Sequence, residues 1–125
     1  MKAAYDRRPA RLTRRVCTAG ELTGLTRAKH PYLSLAAAFS VKEAVMKALG
    51  TGMRGVGWKE IDSSVNQEGP VEDLLSGRAL AVARKRGATR YCLSVTRSDE
   101  VVLATVLLSE EQKADAPELT TVRAE

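Results

Sequence analysis

The sequence between Leu35 and Gly52 constrains the fold more than any other part of the chain. Its apolar residues recur at steps of three and four, the spacing that turns one side of a helix towards a core. These residues are Leu35, Ala38, Val41, Val45, Ala48 and Leu49. Gly50 follows them, at the position where helices commonly close on a residue with positive φ. We therefore predict a helix that ends at Leu49 and continues into a glycine-flanked turn.

A second side of the same helix carries Ser40, Glu43 and Lys47. Glu43 precedes Lys47 by four residues, an orientation that favours a solvated ion pair worth about 0.2–0.5 kcal/mol. Taken by itself, such a pair is an ordinary feature of an exposed helix face. The two residues become candidates for a functional site through the segments that surround them.

The size and composition of the chain indicate one folded domain. The chain has 125 residues, of which 44% are hydrophobic and 28% are charged, proportions typical of globular proteins. A run of eighteen apolar residues is absent, and so is the apolar region of a secretory signal, so we expect a cytoplasmic location and no contact with a membrane. Cys17 and Cys92 lack the spacing of metal ligands and are predicted to be small buried residues.

Positive charge is concentrated near the beginning of the chain. The formal net charge is +5, and residues 1–30 hold eight lysines and arginines against two acidic residues. Such a surface attracts anionic partners, although a solvated helix face explains the same residues equally well. Aromatic residues make up 4% of the chain, which argues against base stacking. We therefore expect no nucleic-acid partner.

Two shorter helices are predicted before the central one. A weak apolar pattern favours a short helix between Pro9 and Cys17. Thr18 and Glu21 have the spacing of a capping box, which predicts a second helix from Ala19 towards Lys29. The proline of His30-Pro31 then marks a junction before the central helix.

After the glycine turn, the pattern predicts a strand, a turn and another helix. Residues 56–65 contain enough β-forming residues for a strand, and the composition of residues 66–70 is that of a turn. Helical spacing then extends from Val71 to a basic end at residues 84–86, where Gly87 supplies the stop.

The last predicted elements are the two strands of a hairpin. Residues 91–96 and 101–108 are rich in β-forming residues and are joined by a four-residue link. Because the second strand is apolar on both faces, we expect it in the interior of the sheet or of an oligomer. Residues 109–125 are polar and acidic, which predicts a disordered tail after a single domain of residues 1–108.

Taken in order, these segments resemble the small holo-acyl-carrier-protein synthases of the 4′-phosphopantetheinyl transferase superfamily. The most specific match is the Lys-Glu-Ala…Lys-Ala-Leu-Gly-Thr-Gly sequence at residues 42–52. The matching segments are residues 14–22, 39–52, 58–61, 69–70, 75–79 and 93–96. The resemblance implies an α+β fold of the 4′-phosphopantetheinyl transferase type, in which an antiparallel sheet packs against a long central helix.

The resemblance also implies an activity. Members of the family transfer the 4′-phosphopantetheine arm of coenzyme A to a serine of an acyl or peptidyl carrier protein, with adenosine 3′,5′-bisphosphate as the leaving group. By the family pattern, Glu43 and Lys47 are catalytic, and Glu43 also binds Mg²⁺. Lys42 and Lys47 are expected near the pyrophosphate. The backbone of Gly50, Thr51 and Gly52 is expected to approach the nucleotide, which glycines permit.

The resemblance further implies a homotrimer with the coenzyme A site between protomers. It places the acidic helix of the carrier protein on an arginine-rich first helix, for which Arg11, Arg14 and Arg15 are the candidates.

At two places the sequence departs from the family pattern. A first strand of the type Gly-Ile-Asp, whose aspartate is a second metal ligand, has no counterpart before the arginine-rich segment. In the hairpin, the family has Ser-x-Ser-His, and this chain has Ser94-Val95-Thr96-Arg97. Arginine is not a base but can hold a phosphate through two hydrogen bonds, so Arg97 is expected to bind coenzyme A.

Two other interpretations keep the same fold. In one, the chain is a repurposed enzyme that acts on a small or carrier-tethered substrate, with Glu43 as an acid or base in a dry apolar cleft. In the other, the chain is a carrier-protein-binding module without catalytic activity.

Overall fold

The architecture is a three-stranded antiparallel sheet with a long helix packed across one of its faces, seen in a computed structural model that describes residues 6–99 and 101–111. The predicted α+β fold is confirmed. The elements are α1 (Pro9–Val16), α2 (Ala19–Arg27), α3 (Pro31–Leu49), a 3-10 turn (Trp58–Glu60), β1 (Glu68–Pro70), α4 (Val71–Leu74), α5 (Gly77–Lys85), β2 (Arg90–Arg97) and β3 (Val102–Ser109). In the described part of the chain, no helix is long and apolar enough to cross a membrane.

The central helix α3 buries the predicted face. Its buried residues are Leu35, Ala38, Val41, Lys42, Val45, Met46 and Leu49. Ala48, which was predicted to face the core, is exposed. It borders a shallow cavity between the ends of α3 and α5, which the core side chains do not fill.

Helix α3 ends at Leu49, as predicted, because Gly50 adopts the left-handed conformation with a φ of 74°. The N–H of Gly50 donates to the carbonyls of Met46 and Lys47. The guanidinium of Arg86 lies so close that a Cβ added to Gly50 would be 2.9 Å from Nη2 of Arg86. Position 50 therefore requires glycine, because its φ is positive and because little space is left for a Cβ.

Replacing Gly50 with alanine is expected to destabilise the protein by about 1–2 kcal/mol, the cost of a left-handed conformation for a residue with a Cβ. The displaced Arg86 side chain adds to this cost. Urea unfolding measures the change. Gly24→Ala is the matched control, because a Cβ at Gly24 meets nothing within 4 Å and its φ is not positive. Equal stability losses in the two variants would contradict the prediction.

The predicted strand at residues 56–65 is wrong. Trp58–Glu60 form a 3-10 turn, and Ile61 makes a single antiparallel bridge with Leu75. The side chain of Glu60 accepts a hydrogen bond from the N–H of Gly57 at 2.5 Å, which closes the turn. Lys42 holds the carbonyls of Trp58 and Ile61, so these groups are not free to pair with a strand.

The predicted helix over residues 71–86 is divided in two. Leu75 is extended, with φ −123° and ψ 147°, and Gly77 has a φ of +54°. The N–H of Ser76 donates to the carbonyl of Glu60 at 2.9 Å. The segment between α4 and α5 therefore follows the 3-10 turn instead of continuing the helix.

The predicted turn at residues 66–70 contains a short strand. Glu68–Pro70 pair antiparallel with β2, with Gly69 opposite Tyr91. Proline is tolerated at the edge of a sheet, and β1 is an edge strand of this sheet.

The hairpin is confirmed, with pairing that runs from Arg90 opposite Ser109 to Arg97 opposite Val102. However, β2 lies at the centre of the sheet and β3 lies at an edge. Of the two expected positions for β3, the interior of the sheet is therefore wrong. One face of β3 packs on the core, whereas Leu103 and Leu107 on the other face are 62% and 53% exposed. Their apolar side chains are left uncovered in a single chain.

The end of the sheet lies slightly beyond the predicted domain boundary. Ser109 belongs to β3, and the N–H of Glu111 donates to Oγ1 of Thr89 at 2.6 Å. The rest of the predicted tail, residues 112–125, lies outside the described residues.

Candidate active site

Glu43 and Lys47 lie on one exposed face of α3, where the step of four residues brings their side chains to neighbouring positions. Within the described residues, no ion pair joins them. Both charges are therefore available to a ligand. Glu43 is exposed in the single chain. This exposure does not favour the interpretation of a repurposed enzyme, in which Glu43 lies in a dry apolar cleft.

The glycine turn begins directly after this face. The N–H of Thr51 donates to the carbonyl of Met46, and its hydroxyl donates to the carbonyl of Gly52. Gly50 and Gly52 are exposed. The structure thus brings Lys47, Gly50, Thr51 and Gly52 together at the carboxyl end of α3.

Lys42 lies in the core, with no exposed surface. Its ammonium is 2.8 Å from Oε1 of Glu21 and donates to the carbonyls of Trp58 and Ile61. An ammonium has three N–H donors, and these three partners use them. The expectation that Lys42 contacts the pyrophosphate does not fit this position, because neither surface nor donor is left for a phosphate.

Glu21 is the partner that the sequence did not reveal. It is 6% exposed and forms the predicted capping box with Thr18. Its Oε1 accepts from the N–H of Thr18 at 2.9 Å, and its Oε2 accepts from the N–H and hydroxyl of Ser63. Lys42 could have been assigned to the core from its spacing, since it follows Ala38 by four residues and precedes Val45 by three.

The two cysteines described by the structure are free thiols. Cys17 is buried as predicted, and Cys92 is half-buried. Burial, with a further contribution from the Glu21 carboxylate, raises the pKa of the Cys17 thiol. Because the thiolate is the nucleophilic form, Cys17 is a packing residue.

Arg97 is placed away from Glu43 within one chain. It lies at the end of β2, and its Nη1 donates to the hydroxyl of Ser34 at 3.4 Å. Ser34 precedes Glu43 by nine residues of α3, which is about 13.5 Å along the axis and about half a turn around it. Within a single chain, the residue that Arg97 contacts therefore lies on the opposite side of α3 from Glu43.

Arginines within and just before the first helix form a surface together with Leu12. Arg7, Arg8, Arg11, Leu12 and Arg15 line an open cavity of about 250 Å³, which we call the arginine surface. Residues 8, 11, 12 and 15 have the spacing of one helix face, a signal that could have identified Arg8 together with Arg11 and Arg15.

Arg14, the third predicted contact, lies on another side of α1. It is exposed, and its Nε donates to the carbonyl of Ala10 at 3.2 Å.

The described residues do not by themselves form a metal site. No three His, Cys, Asp or Glu side chains are grouped to hold an ion over residues 6–99 and 101–111. Glu43 supplies one carboxylate, whereas Mg²⁺ requires six oxygen ligands and takes several of them from water and phosphates. The fit to Mg²⁺ is therefore incomplete.

Comparison with known proteins identifies the family. The family described as the 4′-phosphopantetheinyl transferase superfamily matches residues 1–106. The chain belongs to this superfamily. Within the match lie α3, the glycine turn, the arginine surface and most of the hairpin, so the resemblance of the sequence is confirmed.

Members of the superfamily similar to this chain include two bacterial proteins, each named holo-[acyl-carrier-protein] synthase. The protein from Caldanaerobacter subterraneus subsp. tengcongensis is 35% identical over 86% of this chain and 84% of its own length. The protein from Carboxydothermus hydrogenoformans is 36% identical over 83% of this chain and 84% of its own length.

The fold agrees with that of a solved member of the superfamily. The crystal structure of holo-[acyl-carrier-protein] synthase from Neisseria meningitidis aligns with a TM-score of 0.69 and 29% identity, over 86% of this chain and 87% of that one. The predicted phosphopantetheinyl-transferase fold is therefore confirmed.

Proposed function

We propose that this protein is a cytoplasmic transferase of the holo-[acyl-carrier-protein] synthase type. It transfers 4′-phosphopantetheine from coenzyme A to a serine of an acyl or peptidyl carrier protein. One observation carries the proposal: in a chain of this superfamily, Glu43 and Lys47 are exposed on α3, directly before the Gly50–Gly52 turn. The face thus offers two charges, followed by an exposed glycine-flanked turn, to a phosphate-bearing ligand.

The chemistry requires little covalent participation by the protein. The serine oxygen forms a bond to the phosphorus next to the pantetheine, the bridging P–O bond breaks so that adenosine 3′,5′-bisphosphate leaves with the bridging oxygen, and the serine proton passes to solvent. Catalysis of such a transfer rests on positioning and on stabilising negative charge. Lys47 supplies a positive charge for the pyrophosphate, and the turn at Gly50, Thr51 and Gly52 lets the nucleotide approach the backbone.

We propose Glu43 as the carboxylate ligand of a Mg²⁺ ion bound together with coenzyme A. The ion would neutralise charge on the pyrophosphate. One carboxylate is an incomplete site, so we derive no step of the reaction from the metal.

Incubation with an apo carrier protein, coenzyme A and Mg²⁺ tests this function. Mass spectrometry should show that the carrier protein gains the mass of one phosphopantetheine group, with release of adenosine 3′,5′-bisphosphate. A carrier protein that keeps its mass with Mg²⁺, Mn²⁺ or Ca²⁺ present would exclude the proposed activity. Tight binding of the carrier without a mass change would favour the binding module.

We propose that the arginine surface binds the carrier protein. Four arginines around Leu12 combine positive charge with an apolar centre, which suits an acidic amphipathic helix. Arg14 contributes charge beside this surface, and Arg11 and Arg15 lie within it.

Reversing two charges of this surface, in Arg11→Glu/Arg15→Glu, is expected to raise the KM for the carrier protein at least about ten-fold, since like charges are then apposed. The KM for coenzyme A should change little. The difference from wild type should shrink at high salt, because exposed charges are screened. The control is Arg27→Glu, which reverses an exposed arginine at the end of α2. An equal effect in the control would contradict a specific surface.

We propose that the protein forms a homotrimer through the uncovered face of β3. A strand at a sheet edge that exposes Leu103 and Leu107 leaves apolar area without a partner in one chain. Coenzyme A would bind between protomers, where Arg97 of one protomer contacts the ligand held by Glu43 and Lys47 of the next.

Introducing charges on this face, in Leu103→Glu/Leu107→Glu, is expected to convert the oligomer into monomers. The trimer would then have to bury six carboxylates, two from each protomer, which is unfavourable. Analytical ultracentrifugation measures the mass. Met53→Glu is the matched control, because Met53 is also an exposed apolar residue, at 69%, and lies in a loop. A wild-type monomer, or a double variant with the wild-type mass, would contradict the trimer.

A further inference from the structure

The ion pair between Glu21 and Lys42 joins four segments of the chain at one buried point. Lys42 extends from α3, and Glu21 lies in the first turn of α2. Lys42 also donates to the carbonyl of Trp58 in the 3-10 turn and to that of Ile61 beside it. Glu21 accepts from the N–H and the hydroxyl of Ser63. Among the described residues, no other ion pair joins these segments.

Neighbouring polar groups complete the network. Asp62 accepts a hydrogen bond from the hydroxyl of Thr18 at 3.1 Å and another from the N–H of Ser64 at 2.9 Å. Among the described residues, no buried side-chain polar atom lacks a partner. A fully satisfied buried network has few alternative arrangements, so it defines the relative placement of the segments that it joins.

The face of Glu43 and Lys47 and the arginine surface both depend on this placement. Lys42 directly precedes Glu43 on the rigid helix α3, so fixing Lys42 also fixes the rotation that directs Glu43 and Lys47 outwards. On the other side, α1 ends at Val16 and Cys17, which are 2% and 1% exposed. These two buried residues fix the carboxyl end of α1, and with it the arginine surface. They lie only a few residues before the capping box that contains Glu21.

We propose that Glu21 and Lys42 are positioning residues for phosphopantetheine transfer, an inference that rests on the proposed function. They set the arginine surface relative to the face of Glu43 and Lys47, so that the serine of a docked carrier protein is directed to the pyrophosphate. Neither residue contacts the substrate. The role of Lys42 in the reaction is thus to orient α3.

The double variant Glu21→Gln/Lys42→Met tests this role because it removes both buried charges together. Neither charge is then left unpaired, which is the arrangement that a buried pair tolerates. Circular dichroism first establishes the temperature range in which the variant is folded, and the assays are made within it. We expect kcat to fall about 100-fold, the scale of a misplacement of about 1 Å, while the KM for coenzyme A stays within about three-fold.

Three comparisons make the result decisive. If the wild type transfers no phosphopantetheine, the proposed function fails and this inference fails with it. If the wild type is active and the folded double variant keeps its kcat, the positioning role is overturned and the function stands. Lys85→Met, which removes an exposed lysine at the end of α5, is the matched control and should keep the wild-type kcat.

Ser63→Ala gives a second test, which decides the question where the double variant does not fold. It removes one hydrogen bond to Glu21 and leaves both charges in place. We expect a folded protein whose kcat falls several-fold, with the KM for coenzyme A unchanged. A wild-type kcat in Ser63→Ala would overturn the positioning role.

Discussion

Replacing Lys42 with methionine is expected to destabilise the protein by about 3–5 kcal/mol, the cost of removing one partner from a buried ion pair. Glu21 would remain buried as an unpaired carboxylate, and the carbonyls of Trp58 and Ile61 would lose their donor. A domain of this size is stable by about 5–15 kcal/mol in total. Urea unfolding of the variant should therefore show a large part of the stability lost.

The same experiment with a second lysine shows whether the loss comes from burial. Lys85 is exposed, so Lys85→Met should change the free energy of unfolding by no more than about 0.5 kcal/mol. A double-mutant cycle with Glu21→Gln then measures the coupling between the two charges. Additive effects of the two substitutions would mean that the ion pair is not the source of the stability.

Replacing Glu43 with glutamine is expected to lower the rate of phosphopantetheine transfer by about 10²–10³-fold, the scale of losing one preorganised electrostatic group. Glutamine has nearly the same shape as glutamate but lacks the negative charge that a divalent cation requires. Because Glu43 is exposed on α3, the free energy of unfolding should change by no more than about 0.5 kcal/mol. The phosphopantetheinylated carrier protein is quantified by mass spectrometry over time.

Glu72→Gln is the matched control for this substitution. Glu72 is also an exposed helical glutamate, and it forms a surface ion pair with Arg84 at 3.2 Å. Such pairs contribute little to stability, so this variant should keep both the wild-type rate and its fold. A wild-type rate in Glu43→Gln would remove Glu43 from the proposed metal and catalytic roles.

The sequence predicted the elements whose signals are local. The core face and the end of α3 follow from apolar spacing and from Gly50, and the start of α2 follows from the Thr18–Glu21 capping box. The hairpin of β2 and β3 follows from two runs of β-forming residues. Each of these signals lies within a few residues of the feature that it determines.

The errors occur where distant groups decide the local conformation. Residues 56–65 contain β-forming residues, but Lys42 of α3 holds the carbonyls of Trp58, in the 3-10 turn, and of Ile61. The break between α4 and α5 depends on Leu75 pairing with Ile61. Neither effect can be seen from propensities within the segment itself, because tertiary contacts override them.

Part of the candidate site was predictable because its residues lie close together in the sequence. Glu43, Lys47 and the glycine turn form one continuous stretch, so helical spacing placed them together. The family pattern assigned Lys42 to the pyrophosphate, although its spacing within α3 places it in the core. Whether Arg97 acts beside Glu43 depends on contacts between chains, which no local pattern encodes.

The burial of both charges also restricts how this protein can change in evolution. Losing either Glu21 or Lys42 alone leaves one charge stranded in the core, at a cost close to the stability margin of a small domain. Losing both residues together leaves no unpaired charge in the core. Positions 21 and 42 therefore constrain each other as a pair, and a lineage can leave this arrangement most easily through near-simultaneous or compensated substitutions.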